Sequence, residues 1–180
     1  MSTSSRTEAS IDPERLQAAV AQLVRLVNAA SVSGDEAPAV EEAARIAAEI
    51  GLAVERMPVA AGRENLLVGD ANPAVILCTH LDTVPPHIPA RLDETHVHGR
   101  GSADAKGIAI AMLHGLASLV ARGAGDGIAC LLVVGEETDH AGAQAAAASR
   151  LRPTHIVLGE PCGLTPARAQ KGLLKLVLTA

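Results

Sequence analysis

Leu16, Ala19, Val20, Leu23, Leu26 and Val27 recur three and four residues apart, the spacing of an amphipathic helix. Asp12-Pro13 opens that segment as an N-cap followed by proline at the first helical position. Residues 30–38 are small and turn-forming and predict a turn. Residues 40–50 repeat the helical spacing and stop at Gly51, a residue suited to closing a helix in the left-handed conformation. Residues 52–57 and 66–68 predict strands, separated by the polar stretch Ala61-Gly62-Arg63-Glu64.

Three later apolar runs each end at a residue able to hold a metal. Val75-Ile76-Leu77-Cys78-Thr79 leads into His80-Leu81-Asp82, residues 128–134 lead through Gly135 into Glu136-Glu137, and Ile156-Val157-Leu158 leads through Gly159 into Glu160. Continuous apolar, β-branched runs predict strands buried on both faces. Helical segments at 106–122 and 141–149 separate them. This alternation predicts an α/β sheet, whose ligands gather beyond the carboxyl ends of its strands. The polar groups are therefore expected on one edge.

Composition supports a globular reading: 180 residues, 48% hydrophobic and 19% charged, enough for one domain with a core. A net charge of −5 gives no reason to expect nucleic acid or an anionic membrane as partner. The apolar runs fall short of the ~20 residues a membrane span needs. Residues 1–10 are small and polar, which reads as a frayed tail and not as a secretory signal. Cys78, Cys130 and Cys162 are odd in number and widely spaced, so neither a thiolate zinc site nor a disulfide framework is suggested. Cys78 and Cys130 read as buried small hydrophobes, and a reducing, cytoplasmic setting is expected. The chain has no Phe, Tyr or Trp. Its core must be built from Leu, Val, Ile, Ala and Met, without the large area each aromatic buries.

The chemistry begins at His80-Leu81-Asp82. If the strand persists, alternation puts both side chains on one face, and Asp82 orients the imidazole. Taken alone, the pair reads equally as a strand-end histidine beside a solvated acid. Residues 99–107 form a glycine-rich loop opening a helix, but without phosphate-loop spacing; its glycines let the backbone bring Asp104 close to a metal. Neighbours in a regular strand face opposite sides, so Glu136 and Glu137 serve one site only if the chain turns, as Gly135 allows. Adjacent carboxylates repel unless a cation neutralises them or one takes up a proton. One acid as ligand and its neighbour as base toward water is a coherent arrangement; a solvated acidic turn is the ordinary one. Glu160-Pro161 adds a carboxylate at a strand end, otherwise an exposed turn acid. One metal site accounts for all four features together. Oxygen and imidazole donors suit zinc, cobalt or manganese.

His80-Leu81-Asp82-Thr83-Val84-Pro85, Gly99-Arg100-Gly101-Ser102-Ala103-Asp104-Ala105-Lys106-Gly107, Gly135-Glu136-Glu137-Thr138 and Gly159-Glu160-Pro161, in that order, resemble the M20 metallopeptidase family. That family includes acetylornithine deacetylase, succinyl-diaminopimelate desuccinylase and glutamate carboxypeptidases. The resemblance implies a three-layer α/β/α zinc-peptidase-like sheet and hydrolysis of an amide bond in an N-acyl amino acid or small peptide. It implies that Asp104 bridges two zinc ions (cobalt or manganese being alternatives), that His80 and Glu160 complete one metal's protein ligands, and that Glu137 belongs to the other. Glu136 would be the general base that takes a proton from water, and Asp82 would support His80. A cis peptide is expected at Asp104-Ala105, and a homodimer for the full-length form.

The family's second metal takes a final histidine from a late segment, and an inserted lid domain supplies another across a dimer. None of the remaining histidines fits those roles. Residues 172–178 fall where the resemblance places the first lid strand. The implied organisation is a tail at 1–10, a partial catalytic metal-binding domain at 11–170, and the first strand of the lid and dimerisation domain at 171–180, the fold being truncated there. Such a chain is expected to bind the first metal better than the second and to be weak or inactive alone. Cys162 follows Glu160-Pro161 where the family more often has Thr or Ser. The competing reading is a non-catalytic metal-binding or scaffold fragment; phosphate binding through residues 99–107 is a third and lacks the required spacing.

Several other residues have simpler expectations. His96 and His98 alternate on a short exposed strand, where period-two spacing is ordinary. His87 sits in a proline-rich loop, and His140, near the acid pair, is a candidate opportunistic ligand. His114 and His155 read as structural. Ser102 lacks a nucleophile elbow, and Arg100 is expected to hold its loop through a carboxylate.

Overall fold

The computed structural model describes residues 12–163, 165–167 and 169. The expected tail at 1–10 and the expected lid strand at 171–180 lie outside them.

α1 (Pro13–Asn28) starts where the capping pattern places it, the Asp12 carboxylate accepting the Glu14 N–H at 3.0 Å. α2 (Ala37–Glu49) begins three residues earlier than the apolar spacing indicates, with Pro38 in its first turn. β1 (Val54–Ala60) and β2 (Arg63–Gly69) form an antiparallel hairpin longer than its apolar core. Backbone pairing continues through polar residues, and Arg56 crosses the ladder to Glu64 at 3.0 Å and to Glu41 of α2 at 2.5 Å. β3 (Val75–His80), β6 (Ile128–Val133) and β7 (His155–Leu158) follow, with α3 (Lys106–Ala121) and α4 (Ala141–Ala148) between them. A separate two-stranded hairpin joins β4 (Arg91–Leu92) and β5 (Val97–His98).

The main sheet has the order β1-β2-β6-β3-β7. β2 pairs with β6 antiparallel, whereas β6, β3 and β7 run parallel. Their carboxyl ends therefore open on the same edge, with β3 in the middle. α1, α2 and α3 cover one face through a core that includes Leu26, Ile46, Leu66, Leu113, Leu116 and Leu132. The opposite face buries Met57, Leu67, Ile76, Leu131 and Val133 beneath Leu151 and Ala146 of α4. The architecture is the expected α/β/α sandwich, and both cores are aliphatic.

One strand departs from expectation. Ile156, Val157 and Leu158 of β7 are exposed, not buried on both faces. β7 is the sheet edge, paired only with β3, and among the described residues no element covers its faces. An apolar run records what a strand is suited to bury, not what lies against it.

Candidate metal centre

His80 is the last residue of β3 and is buried. The strand stops there, so Asp82 does not reach the ring by alternation. Its backbone carbonyl accepts from His80 Nδ1 at 2.9 Å, and its carboxylate Oδ1 lies at 3.5 Å from the same nitrogen. A carbonyl only accepts, so Nδ1 carries hydrogen and Nε2 is the nitrogen aimed at the site. Nε2 lies 3.1 Å from Asp104 Oδ1 and 4.0 Å from Glu160 Oε1. Burial opposes charge on the imidazole, but Asp82 and then Glu160 outweigh it and raise its pKa to about 9. A proton on Nε2 and a cation are thus alternative partners for the same acids.

Asp82 is fully buried and ties the site together. It accepts from Ser33 Oγ at 2.6 Å and from the backbone N–H groups of Glu136 and Glu137 at 3.0 Å each. Burial pushes its pKa up, yet the hydrogen bonds from His80, Ser33, Glu137 and Glu136 prevail and bring it down to about 2. A buried carboxylate with several donors stays ionised.

The loop before α3 places Asp104. Its peptide to Ala105 is cis, as the resemblance implies. Gly101 has a φ of +86°, and a Cβ there would press on Thr83 Cγ2 at 2.8 Å, so only glycine suits the position. Lys106, wholly buried, donates to the Ala29 carbonyl at 2.7 Å and anchors the loop to the end of α1. Arg100 donates to the Pro86 carbonyl at 3.3 Å; the expected carboxylate is not its hydrogen-bond partner.

After β6, Gly135 adopts a φ of +76° and turns the chain, which lets both Glu136 and Glu137 belong to one edge. A Cβ on Gly135 would collide with Asp139 and with the Arg63 guanidinium. That guanidinium donates to Asp139 Oδ2 at 2.9 Å and to both oxygens of the buried Glu36, at 2.6 and 3.0 Å. The β1–β2 hairpin and the start of α2 thereby brace the acidic turn.

His80, Asp104 and Glu137 each offer one ligand atom within 4.8 Å of the other two. Glu160 approaches His80 but lies outside that mutual group, as does Glu136. Burial first, and then repulsion from neighbouring acids, raises the pKa of Glu137 and of Glu160, with His80 opposing. For Glu137 the repelling acids are Asp104, Glu136 and Asp82; for Glu160 they are Glu136, Asp104 and Glu137. Imidazole and carboxylate donors crowded with excess negative charge fit a divalent cation of the zinc, cobalt or manganese type.

Other histidines stand apart. His114 Nε2 pairs with Gln22 Oε1 at 2.7 Å between α3 and α1. His155 contacts Thr154 through Nδ1 at 3.0 Å. His140 is exposed at the start of α4 with a positive φ, outside the metal group. Cys162 is exposed. Sequence patterns missed Ser33, Glu36, Arg63 and the anchoring role of Lys106. Ser33 sits 49 residues from Asp82 and Glu36 27 residues from Arg63, and no local signal marks such pairs.

A sequence profile described as Peptidase family M20/M25/M40 matches residues 76–171. A protein named probable carboxypeptidase from Aspergillus terreus is 32% identical over 176 residues, covering 86% of this chain and 41% of that protein. Acetylornithine deacetylase from Edwardsiella ictaluri is 36% identical over 139 residues, covering 70% of this chain and 36% of that enzyme. The chain thus spans about two fifths or less of the length of these relatives. In fold it is similar to aminopeptidase PepT from Bacillus cereus, with a TM-score of 0.67 at 23% identity, over 83% of this chain and 44% of that one. The matched segment carries His80, Asp104, the acid pair after Gly135 and Glu160 in one reading order, and the chain belongs to peptidase family M20/M25/M40.

Proposed function

We propose that this chain carries the metal-holding part of an enzyme that hydrolyses an amide bond in an N-acyl amino acid or small peptide. The observation that supports the reading most is the meeting of His80, Asp104 and Glu137 within 4.8 Å at the edge where three parallel strands end. His80 and Glu160 would hold one cation and Glu137 a second, with the Asp104 carboxylate within reach of His80 and Glu137. Zinc is the first candidate, with cobalt and manganese next. Bound divalent cations would supply Lewis acidity toward the scissile carbonyl and lower the pKa of water.

The chain's own groups do the rest. His80 presents Nε2 because Nδ1–H is held by the Asp82 carbonyl. Asp82 fixes the acidic turn through the Glu136 and Glu137 N–H groups and is a positioning residue. Glu136, outside the ligand group, is the base that takes a proton from water and hands it to the leaving amine. We further propose a cytoplasmic setting, which the free thiols of Cys78, Cys130 and Cys162 favour, and a homodimer for the full-length form.

Glu136→Gln in the full-length protein tests the assignment on an N-acetyl amino acid. Metal content should be retained while turnover falls by about 100-fold or more, the scale of general base catalysis. Unchanged turnover would remove Glu136 from the role. Stoichiometric metal without hydrolysis by the unsubstituted full-length protein would favour a non-catalytic metal-binding scaffold.

A further inference from the structure

The β4–β5 hairpin stands outside the main sheet and is organised around Asp93. Its carboxylate Oδ1 accepts from the backbone N–H groups of Thr95 and His96, both at 2.9 Å, and from Thr95 Oγ1 at 3.3 Å. Its Oδ2 lies 2.6 Å from His98 Nε2, and Arg91 Nη1 lies 3.9 Å from the same oxygen. Thr95 Oγ1 lies 2.7 Å from His96 Nδ1.

With Asp93 ionised, these contacts set the His98 tautomer and favour one tautomer of His96. An aspartate only accepts, so His98 donates from Nε2 and keeps its lone pair on Nδ1. The Thr95 hydroxyl gives its one hydrogen to Asp93, so its oxygen accepts from His96 Nδ1–H. That leaves the His96 lone pair on Nε2. One carboxylate thus leaves a basic nitrogen on each ring, directly for His98 and through Thr95 for His96. This is the carboxylate–histidine arrangement that raises ligand basicity in metal sites. The ring centroids are 5.8 Å apart, inside the ~6.5 Å upper limit for two imidazoles that each bind one ion at ~2.1 Å, so one ion can serve both once the exposed rings turn their free nitrogens toward it. Both side chains are solvent-accessible, so an ion meets no barrier to entry.

We propose that His96 and His98 form a second transition-metal site, separate from the acid-rich centre, that takes imidazole-preferring divalent ions such as Cu2+, Ni2+ or Zn2+ and rejects Mg2+ and Ca2+. The donor types differ between the two places: two imidazoles here, mostly carboxylates there. Copper should bind tightest, following the ordinary order of divalent affinities.

The test titrates Ni2+, and separately Mg2+, into an Asp104→Ala/Glu137→Ala form of the chain, which disables the acid-rich centre. Ni2+ should bind at one equivalent, with paramagnetic broadening of the His96 and His98 ring signals before those of His87, His140 and His155. Either His96→Ala or His98→Ala should weaken it at least 10-fold, and Asp93→Asn by about 10-fold through loss of the favoured tautomers. Mg2+ should produce no change. Undiminished Ni2+ affinity in His96→Ala/His98→Ala, or equal broadening of all exposed histidines, would overturn the proposal.

Discussion

The Asp82 carboxylate accepts the backbone N–H of Glu137 at 3.0 Å, joining the end of β3 to the turn that follows β6. Ser33 and the Glu136 N–H use the same carboxylate. Replacing Asp82 with alanine strands three donors in a buried place, where each unsatisfied group costs about 1–3 kcal/mol. Asp82→Ala should therefore lose roughly 3 kcal/mol or more of stability, measured by urea unfolding, and should weaken metal binding through Glu137.

The same residue sets a pH dependence. Its folded pKa near 2 lies below the ordinary carboxylate value near 3.9. The stabilisation it gives is complete above pH ~4 and is lost as pH falls through ~2. Asp82→Asn removes the titration. The stability gap between the unsubstituted protein and Asp82→Asn should narrow steadily from pH 5 to pH 2; a constant gap would show that the carboxylate's charge is immaterial.

Gly135→Ala tests the turn. The positive φ and the packing of Asp139 and Arg63 against the glycine leave alanine both strained and crowded. About 2 kcal/mol or more of destabilisation is expected in urea unfolding, with a loss of metal affinity as the acid pair shifts.

Arg63→Ala leaves Glu36, 1% exposed, as a buried acid without its cation, still accepting from the Gly34 N–H at 2.8 Å. Breaking such a pair from one side costs about 3–5 kcal/mol. Arg63→Ala/Glu36→Gln should recover part of that loss, because the stranded charge is gone. A double-mutant cycle in urea reads both, and no recovery would place the cost in packing alone.

Lys106 carries the same pH sign in an alkaline window. Burial lowers its pKa to about 8, below the ordinary value near 10.4. Between these values the unfolded chain binds more protons than the folded one, so stability rises with pH. Relative to Lys106→Met, the unsubstituted protein should gain up to roughly 3 kcal/mol as pH goes from 8 to 10.5. A difference that stays flat across this range would mean that the ammonium is not penalised by its surroundings.

Much of this was legible in the chain because the signals are local. The cap at Asp12, the spacing through α1 and the runs of β3 and β6 each depend on residues a few positions apart. The acids after Gly135 and Gly159 were readable because a run of apolar residues ended at them. Long-range features were not. Nothing near Arg63 indicates that a residue in a polar turn will grip Glu36 and Asp139. Nothing at His80 indicates that the strand ends there, so that Asp82 meets the ring mainly through its carbonyl. The exposure of β7 was equally hidden, since hydrophobicity does not reveal whether a neighbour is at hand.

The most direct measurement is a Zn2+ titration by calorimetry at pH 7.5, comparing Asp104→Ala with the unsubstituted site, both in a His96→Ala/His98→Ala background that silences the hairpin. The side chain removed is half-exposed, so thermal unfolding should be little changed while Zn2+ affinity falls by 100-fold or more. Equal affinity in the two proteins would contradict a shared cation between His80, Asp104 and Glu137.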